Sequence, residues 1–416
     1  MAVGTMIGAS IFSIFGFGAK VAGHNLPEAF LLSGIYAFIV AYSYAILGSK
    51  IISNAGPISF ILKGMGDGLV TGTLSILLWM SYVVSISLLV KGFAGYFLPL
   101  FHLQTTPVNY AIVEAAMIAL FVSLNFFGSK AVGRSELYIV AVKLTILILF
   151  IIGGIMTIKL ANITPDFHHP QSLNMVNASV IFFLSYMGFG LITNASENLV
   201  DPQKNIPIAI YSSIFIVLII YVMISIVTLG NLPLQEIIAA KENALAVAAK
   251  PFLGKFGFLL LSIGALFSIS SALNANIFGG ANVAYSLAKD GELPEFFERK
   301  VWFKSTEGLF ITAGLGLFFA LMFDLGEIAT ITSSVFTIIY IFVVFSHIKL
   351  YKEFGGNVVL LLINFTILSA VFIALLRFQW LSHRNAFYGT LLTLVVAFIV
   401  EYLLRNIHKR EFAKHL

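Results

Sequence analysis

No charged side chain occurs between Phe256 and Ala288, between Ala29 and Ser49, or between Leu69 and Val90. Stretches of that length cannot supply the half-polar faces of a soluble domain. As a helix, about 20 predominantly apolar residues cross roughly 30 Å of hydrocarbon. Reading between charges, prolines and loop signals gives twelve such runs, about 1–23, 27–49, 69–98, 108–128, 136–159, 175–197, 206–230, 256–288, 308–323, 327–348, 357–377 and 385–404. They are too long and too weakly alternating for barrel strands, so an all-α membrane protein with twelve transmembrane helices is expected. Composition agrees: 59% of residues are hydrophobic and 10% charged, against about 25% charged in ordinary soluble domains, which excludes a cytosolic enzyme. The absence of Cys removes disulfides, thiolate metal sites and Cys nucleophiles.

Basic residues set the orientation. With the amino terminus cytoplasmic, the inner loops and tail hold 15 Lys and Arg and the outer loops 7, while Lys91 and Lys143 fall inside spans. That ratio puts both termini inside the cell membrane and accounts for the net charge of +5 without invoking nucleic acid. The first run lacks a basic leader, so no cleavable signal peptide is expected. Of the two longest connections, 231–255 reads as an amphipathic helix on the outer surface and 289–307 as an inner interfacial element.

Two runs are weakened by glycine. The first carries Gly4, Gly8, Gly16 and Gly18, and the sixth carries Gly188 and Gly190. Each Gly weakens a helix by about 1 kcal/mol relative to Ala, and backbone groups freed inside a bilayer are tolerated only where they line a cavity or meet a ligand. Interrupted helices at positions one and six, five helices apart, predict a five-plus-five inverted repeat with its binding site at the breaks. The ten-helix core is then 1–348, with repeats of about 1–160 and 175–348, two further helices over 357–404, and a cytoplasmic tail at 405–416. Amides at a half-helix start attract a carboxylate and exposed carbonyls accept from an ammonium, so one zwitterion can be held without a charged side chain. Glu114, Glu136, Glu197 and Glu401 sit near helix ends, leaving no deep counter-charge for a cationic solute. An intramembrane enzyme would need a catalytic constellation, and no HExxH, paired acids or Ser–His pair is present. A channel would need a filter or charged ring, and none is found.

The motifs GTMIGASIF (4–12), FFLSYMGFG (182–190), DPQKNIPIAI (201–210) and SISSALNANIFGGANVAYSLAKDGELPEFF (268–297), in this order and spacing, resemble an amino acid permease of the amino acid–polyamine–organocation superfamily, with its LeuT-like fold. The nearest likeness is to its archaeal proton-coupled branch of broad specificity. The resemblance implies that the amides of Ala9, Ser10 and Ile11 hold the substrate carboxylate. It implies that the carbonyls of Met6, Leu184 and Met187 hold the amino group, and that Phe183 and Tyr186 shape or gate the side-chain pocket. It implies no cofactor, and amino acids and protons as the partners. Many relatives carry an acid where Gly190 stands, and more of the first half-helix precedes their glycines. The native chain therefore starts upstream of Met1 or has a truncated inner gate.

Lys143 lies about 10 Å inside the inner edge of helix five at 1.5 Å per residue, where lysine costs roughly 2.5–3.5 kcal/mol. Proton-coupled relatives place a Lys here. The implied role is a proton carrier whose charged form contacts carbonyls near Gly4 and the hydroxyl of Ser268 or Ser271, in place of a sodium ion; the alternative is a lysine snorkelling to the inner interface. Sodium coupling or uncoupled exchange is the alternative mechanism on the same fold. Lys91 reads as a snorkelling or structural lysine, and His168 and His169 as a solvated loop. Ser81, Ser85, Ser270, Asn274 and Thr332 to Ser334 read as cavity-lining groups or interhelical hydrogen bonds. Trp79, Trp302 and Trp380 read as interfacial anchors.

Overall fold

The computed structural model describes residues 2–53, 56–127, 132–168, 170–289, 293, 297, 299 and 307–408, apart from the side chains of 9, 10, 127, 132–137, 195, 198, 407 and 408. Most of the 289–307 element, Trp302, His169 and the tail beyond 408 lie outside the described residues. Among them the regular structure is helical throughout. Helices α1 (Ala2–Ser13) and α2 (Phe15–Ala22) are followed by α3 (Leu26–Lys50), α4 (Pro57–Met65), α5 (Leu69–Leu100), α6 (Pro107–Phe127) and α7 (Val132–Ile155). Helix α8 (Gln171–Phe182) then passes into a 3-10 helix over Phe183–Asn198. After it come α9 (Pro202–Asn231), α10 (Leu234–Ala239), α11 (Ala244–Ala248), α12 (Lys250–Lys289), α13 (Glu307–Met322), α14 (Leu325–Phe354), α15 (Val358–Ser382) and α16 (Arg384–His408).

Among the described residues ten helices are long and apolar enough to cross a membrane, with α2 and α3 counted as one, while α1 and α13 are shorter. Helix α16 continues through Arg405 to His408, into the stretch expected to be tail. Most of these helices are apolar on every side, so each buries one face in the bundle and turns the other to lipid. Leu147 and Phe150 of α7 are fully buried, for example, whereas Ile148 and Leu149 are exposed. Chain turns group the helix ends into two faces. On one, Lys159 N–H donates to the Gly230 carbonyl at 2.9 Å and Asp166 N–H to the Asn25 side-chain oxygen at 2.7 Å. On the other, the basic face, Arg405 bonds Glu401 at 2.6 Å and also pairs with Asp67, and Lys63 pairs with Glu353.

Several local expectations are corrected. The 231–255 connection is not one surface helix: α10, a short 3-10 turn and α11 fold inward, with Ile237, Ala244, Leu245, Ala246 and Ala248 fully buried. Trp79 is 5% exposed and donates to Thr312 Oγ1 at 3.0 Å, so it cements α5 to α13 rather than anchoring at an interface. His347 is buried in α14 between Ser43 and the Gly355 carbonyl, each at 3.1 Å. For Lys91 the structural of the two expected readings holds. It pairs with Glu114 at 3.4 Å and donates to the Ala320 carbonyl at 2.5 Å, so the buried Glu114 is already committed.

Candidate functional site

The 3-10 helix over Phe183–Asn198 is the irregular element of the bundle. Such helices run longer than three or four residues only rarely, and a longer stretch marks a hinge or a strained sequence; this one spans 16 residues. It crosses α1 at close range, because a Cβ on Gly188 would sit 2.9 Å from the Met6 backbone nitrogen and 3.0 Å from its Cγ. Alongside that crossing lies a small cavity of ≈ 100 Å³, open on one side, lined by Thr5 and Met6 of α1 and by Leu184, Met187, Gly188 and Gly190 of the 3-10 helix. Tyr44, Tyr82, Ser85, Asn194, Asn276, Phe336 and Tyr340 complete much of its wall, and among the described residues no charged side chain lines it. Asn194, in the last turns of the 3-10 helix before the basic face, also borders it, so the cavity extends toward that face.

The opposite end is sealed by aromatic rings. Phe30 stacks on Phe182 at 3.8 Å between ring centres and on Phe15 at 5.9 Å, and Tyr186 donates to the Phe30 carbonyl at 3.0 Å. Phe12, Phe15, Phe30, Phe182, Phe183 and Tyr186 are all fully buried.

Hydroxyls from neighbouring helices converge on the backbone of the two crossing elements. Tyr221 of α9 donates to the Met6 carbonyl at 2.6 Å, with the Ser185 carbonyl at 3.3 Å. Tyr340 of α14 donates to the Met187 carbonyl at 3.1 Å, and Ser333 to that of Ile181 at 3.3 Å. A carbonyl has two lone pairs, so this wall presents an unusual density of acceptors for a membrane interior.

Of the residues expected to hold a zwitterion, Met6, Leu184 and Met187 border the cavity. Ile11, Phe183 and Tyr186 are packed in the aromatic seal behind it. Helix one is not broken where expected: α1 is helical from Ala2 to Ser13, and the interruption falls at Ile14, with φ −103° and ψ 1°. In this conformation the amides of Ala9, Ser10 and Ile11 belong to the α1 ladder. Gly8 explains the persistence, since its missing Cβ would meet the Ala272 Cβ at 2.9 Å, and that close packing on α12 supports the helix.

Lys143 is 3% exposed, and its Nζ donates to the Gly4 carbonyl, so it does not reach the inner interface. The buried Ser268 hydroxyl lacks a hydrogen-bond partner among the described residues, while Ser271 is half-buried. Tyr44, Tyr82, Asn194, Asn276 and Tyr340 were not legible as cavity residues. Ser81 instead bonds its own helix at the Leu78 carbonyl, 2.6 Å away, and Asn274 is tied to Asn125 at 2.7 Å. A cluster of Asp324, Glu327 and His383 has a simpler role, because the two acids form the capping box that starts α14.

The amino acid permease family profile matches residues 1–400. This chain belongs to that family. It is a multi-pass membrane protein with the family's inverted-repeat fold, and the family is one of permeases, not enzymes. An uncharacterized protein of Methanocaldococcus jannaschii is 61% identical over all of this chain and 96% of its own length. The inner membrane transport protein YbaT of Escherichia coli is 30% identical over 96% of this chain and 94% of its own. A methylthioribose transporter of Bacillus subtilis is 28% identical over 83% and 78%. The family makes small-molecule amino acids the substrate class.

Proposed function

We propose that this chain moves neutral amino acids across the cell membrane by alternating access, coupled to protons through Lys143. The observation that carries the reading is the cavity at the α1 crossing, which no charged side chain lines among the described residues and which Met6 and Met187 border, their carbonyls taking the hydroxyls of Tyr221 and Tyr340. An ammonium can take the place of those hydroxyls, and a wall without an acid among the described residues favours solutes without net positive charge. The carboxylate end calls for the amides of Ala9, Ser10 and Ile11, which come free when α1 unwinds next to Gly8. Glycine lowers helix stability there by about 1 kcal/mol relative to Ala, and unwinding gives up the Gly8 packing on Ala272.

Lys143 carries the coupling. A charged ammonium bound to the Gly4 carbonyl ties α7 to α1, and its deprotonation loosens that tie. Sodium coupling is disfavoured because a fixed cation stands in the place a sodium ion would need. The basic face is assigned to the cytoplasm, with both termini there. The test is thermal-shift and uptake competition in proteoliposomes with the twenty amino acids at two pH values. Stabilisation by neutral amino acids is expected; stabilisation by none would remove the substrate class.

A further inference from the structure

The inward-folded connection between α9 and α12 seats against two glycines. A Cβ on Gly16 of α2 would overlap the carbonyl of Lys241, and one on Gly95 of α5 would overlap the Glu242 side chain. Lys241 itself adopts φ +48°, a conformation L residues rarely take, so the tip is held in shape by what it packs on. This plug covers the end of the bundle that the aromatic seal closes, while the cavity extends the other way.

Among the described residues Glu242 forms no salt bridge in that seat. Tyr110 of α6 donates to its Oε2 at 3.4 Å. One turn along α6, Glu114 takes Lys91 at 3.4 Å, and Lys91 also serves the Ala320 carbonyl of α13. The remaining group nearby is Tyr96 of α5, whose buried hydroxyl lacks a hydrogen-bond partner among the described residues. Burial pushes the Glu242 carboxyl above its ordinary 4.5, outweighing its own backbone amide, Lys241, the Tyr110 hydroxyl and Lys91, which all favour the anion. A neutral carboxyl can remain in such a seat, whereas a carboxylate must recover water or a partner.

We propose that Glu242 is the protonation point of a latch: the plug stays seated on Gly16 and Gly95 while its carboxyl is neutral, and lifts when it ionises. The sign follows from the raised acid. Seating is complete below 4.5 and is lost as pH rises through the elevated value. A proton arriving from the plug side would therefore close that side. The latch goes beyond the transport reading and involves a proton site separate from Lys143.

The chain has no cysteine, so one introduced thiol reports cleanly. Ser13, fully buried against Gly92 and one turn below Gly95, is replaced by Cys in purified protein. Its maleimide labelling is normalised to Gln104→Cys on the exposed α5–α6 turn, from about pH 4 to about pH 9. The normalised rate should rise by up to about tenfold per pH unit to a plateau. Glu242→Gln should keep it slow throughout. Gly95→Ala, which prevents seating, should make it fast and independent of pH, and decides the matter if Glu242→Gln does not fold. A flat profile without these substitutions, or one in Glu242→Gln or Gly95→Ala that matches it, overturns the latch. Labelling needs no substrate, so failed uptake would leave this result standing, and a flat profile would leave uptake standing.

Discussion

Lys143 and Tyr221 show how single side chains hold the crossing elements in register. Lys143→Ala removes the ammonium from the Gly4 carbonyl; uptake should lose its pH dependence while amino acid binding stays measurable by thermal shift. Unchanged pH dependence would refute the coupling role. Tyr221→Phe deletes only an oxygen, but strips the hydroxyl from the buried Met6 and Ser185 carbonyls. A buried acceptor losing its partner costs about 1–3 kcal/mol, so thermal unfolding in detergent should fall by a few degrees. An unshifted midpoint would mean that water replaces the phenol there.

At the scale of elements, the separation of α1 from the 3-10 helix decides whether the cavity keeps its shape. Gly188→Ala places a methyl 2.9 Å from the Met6 nitrogen, whereas the nearest atom to a Cβ on Gly190 is 3.5 Å away, on Tyr44. Contacts below 3.0 Å must be relieved by movement and those near 3.5 Å need none. Substrate affinity should therefore drop about tenfold or more in Gly188→Ala, about 1.4 kcal/mol, and change little in Gly190→Ala. Equal effects from calorimetric titration would show that the crossing distance is not what matters. The glycines of helix six lie in the 3-10 stretch over Phe183–Asn198, where the sequence suggested an interruption. Those of helix one do not: Gly8 sits in a continuous helix, because glycine permits a break without requiring one and contact with Ala272 favours the helix.

For the whole molecule, the two faces make the orientation testable. Gln104→Cys on the α5–α6 turn should react with an impermeant maleimide in intact cells, and Lys63→Cys at the basic face only after permeabilisation. The reverse pattern would invert the topology and the direction assigned to the latch.

Apolar runs alone determined where the helices lie, because water and hydrocarbon sort side chains irrespective of which helix becomes a neighbour. The buried stations of Lys143, at α1, and of Lys91, at Glu114 and Ala320, required coordinates, as did the hydroxyls of Tyr221 and Tyr340 on backbone carbonyls. The reason is geometric: the 3.6-residue period fixes which residues share a face, but only packing decides what that face meets. In a span apolar on every side, even the direction of the buried face is unmarked, so the polar contacts that make the cavity existed only once the helices were assembled.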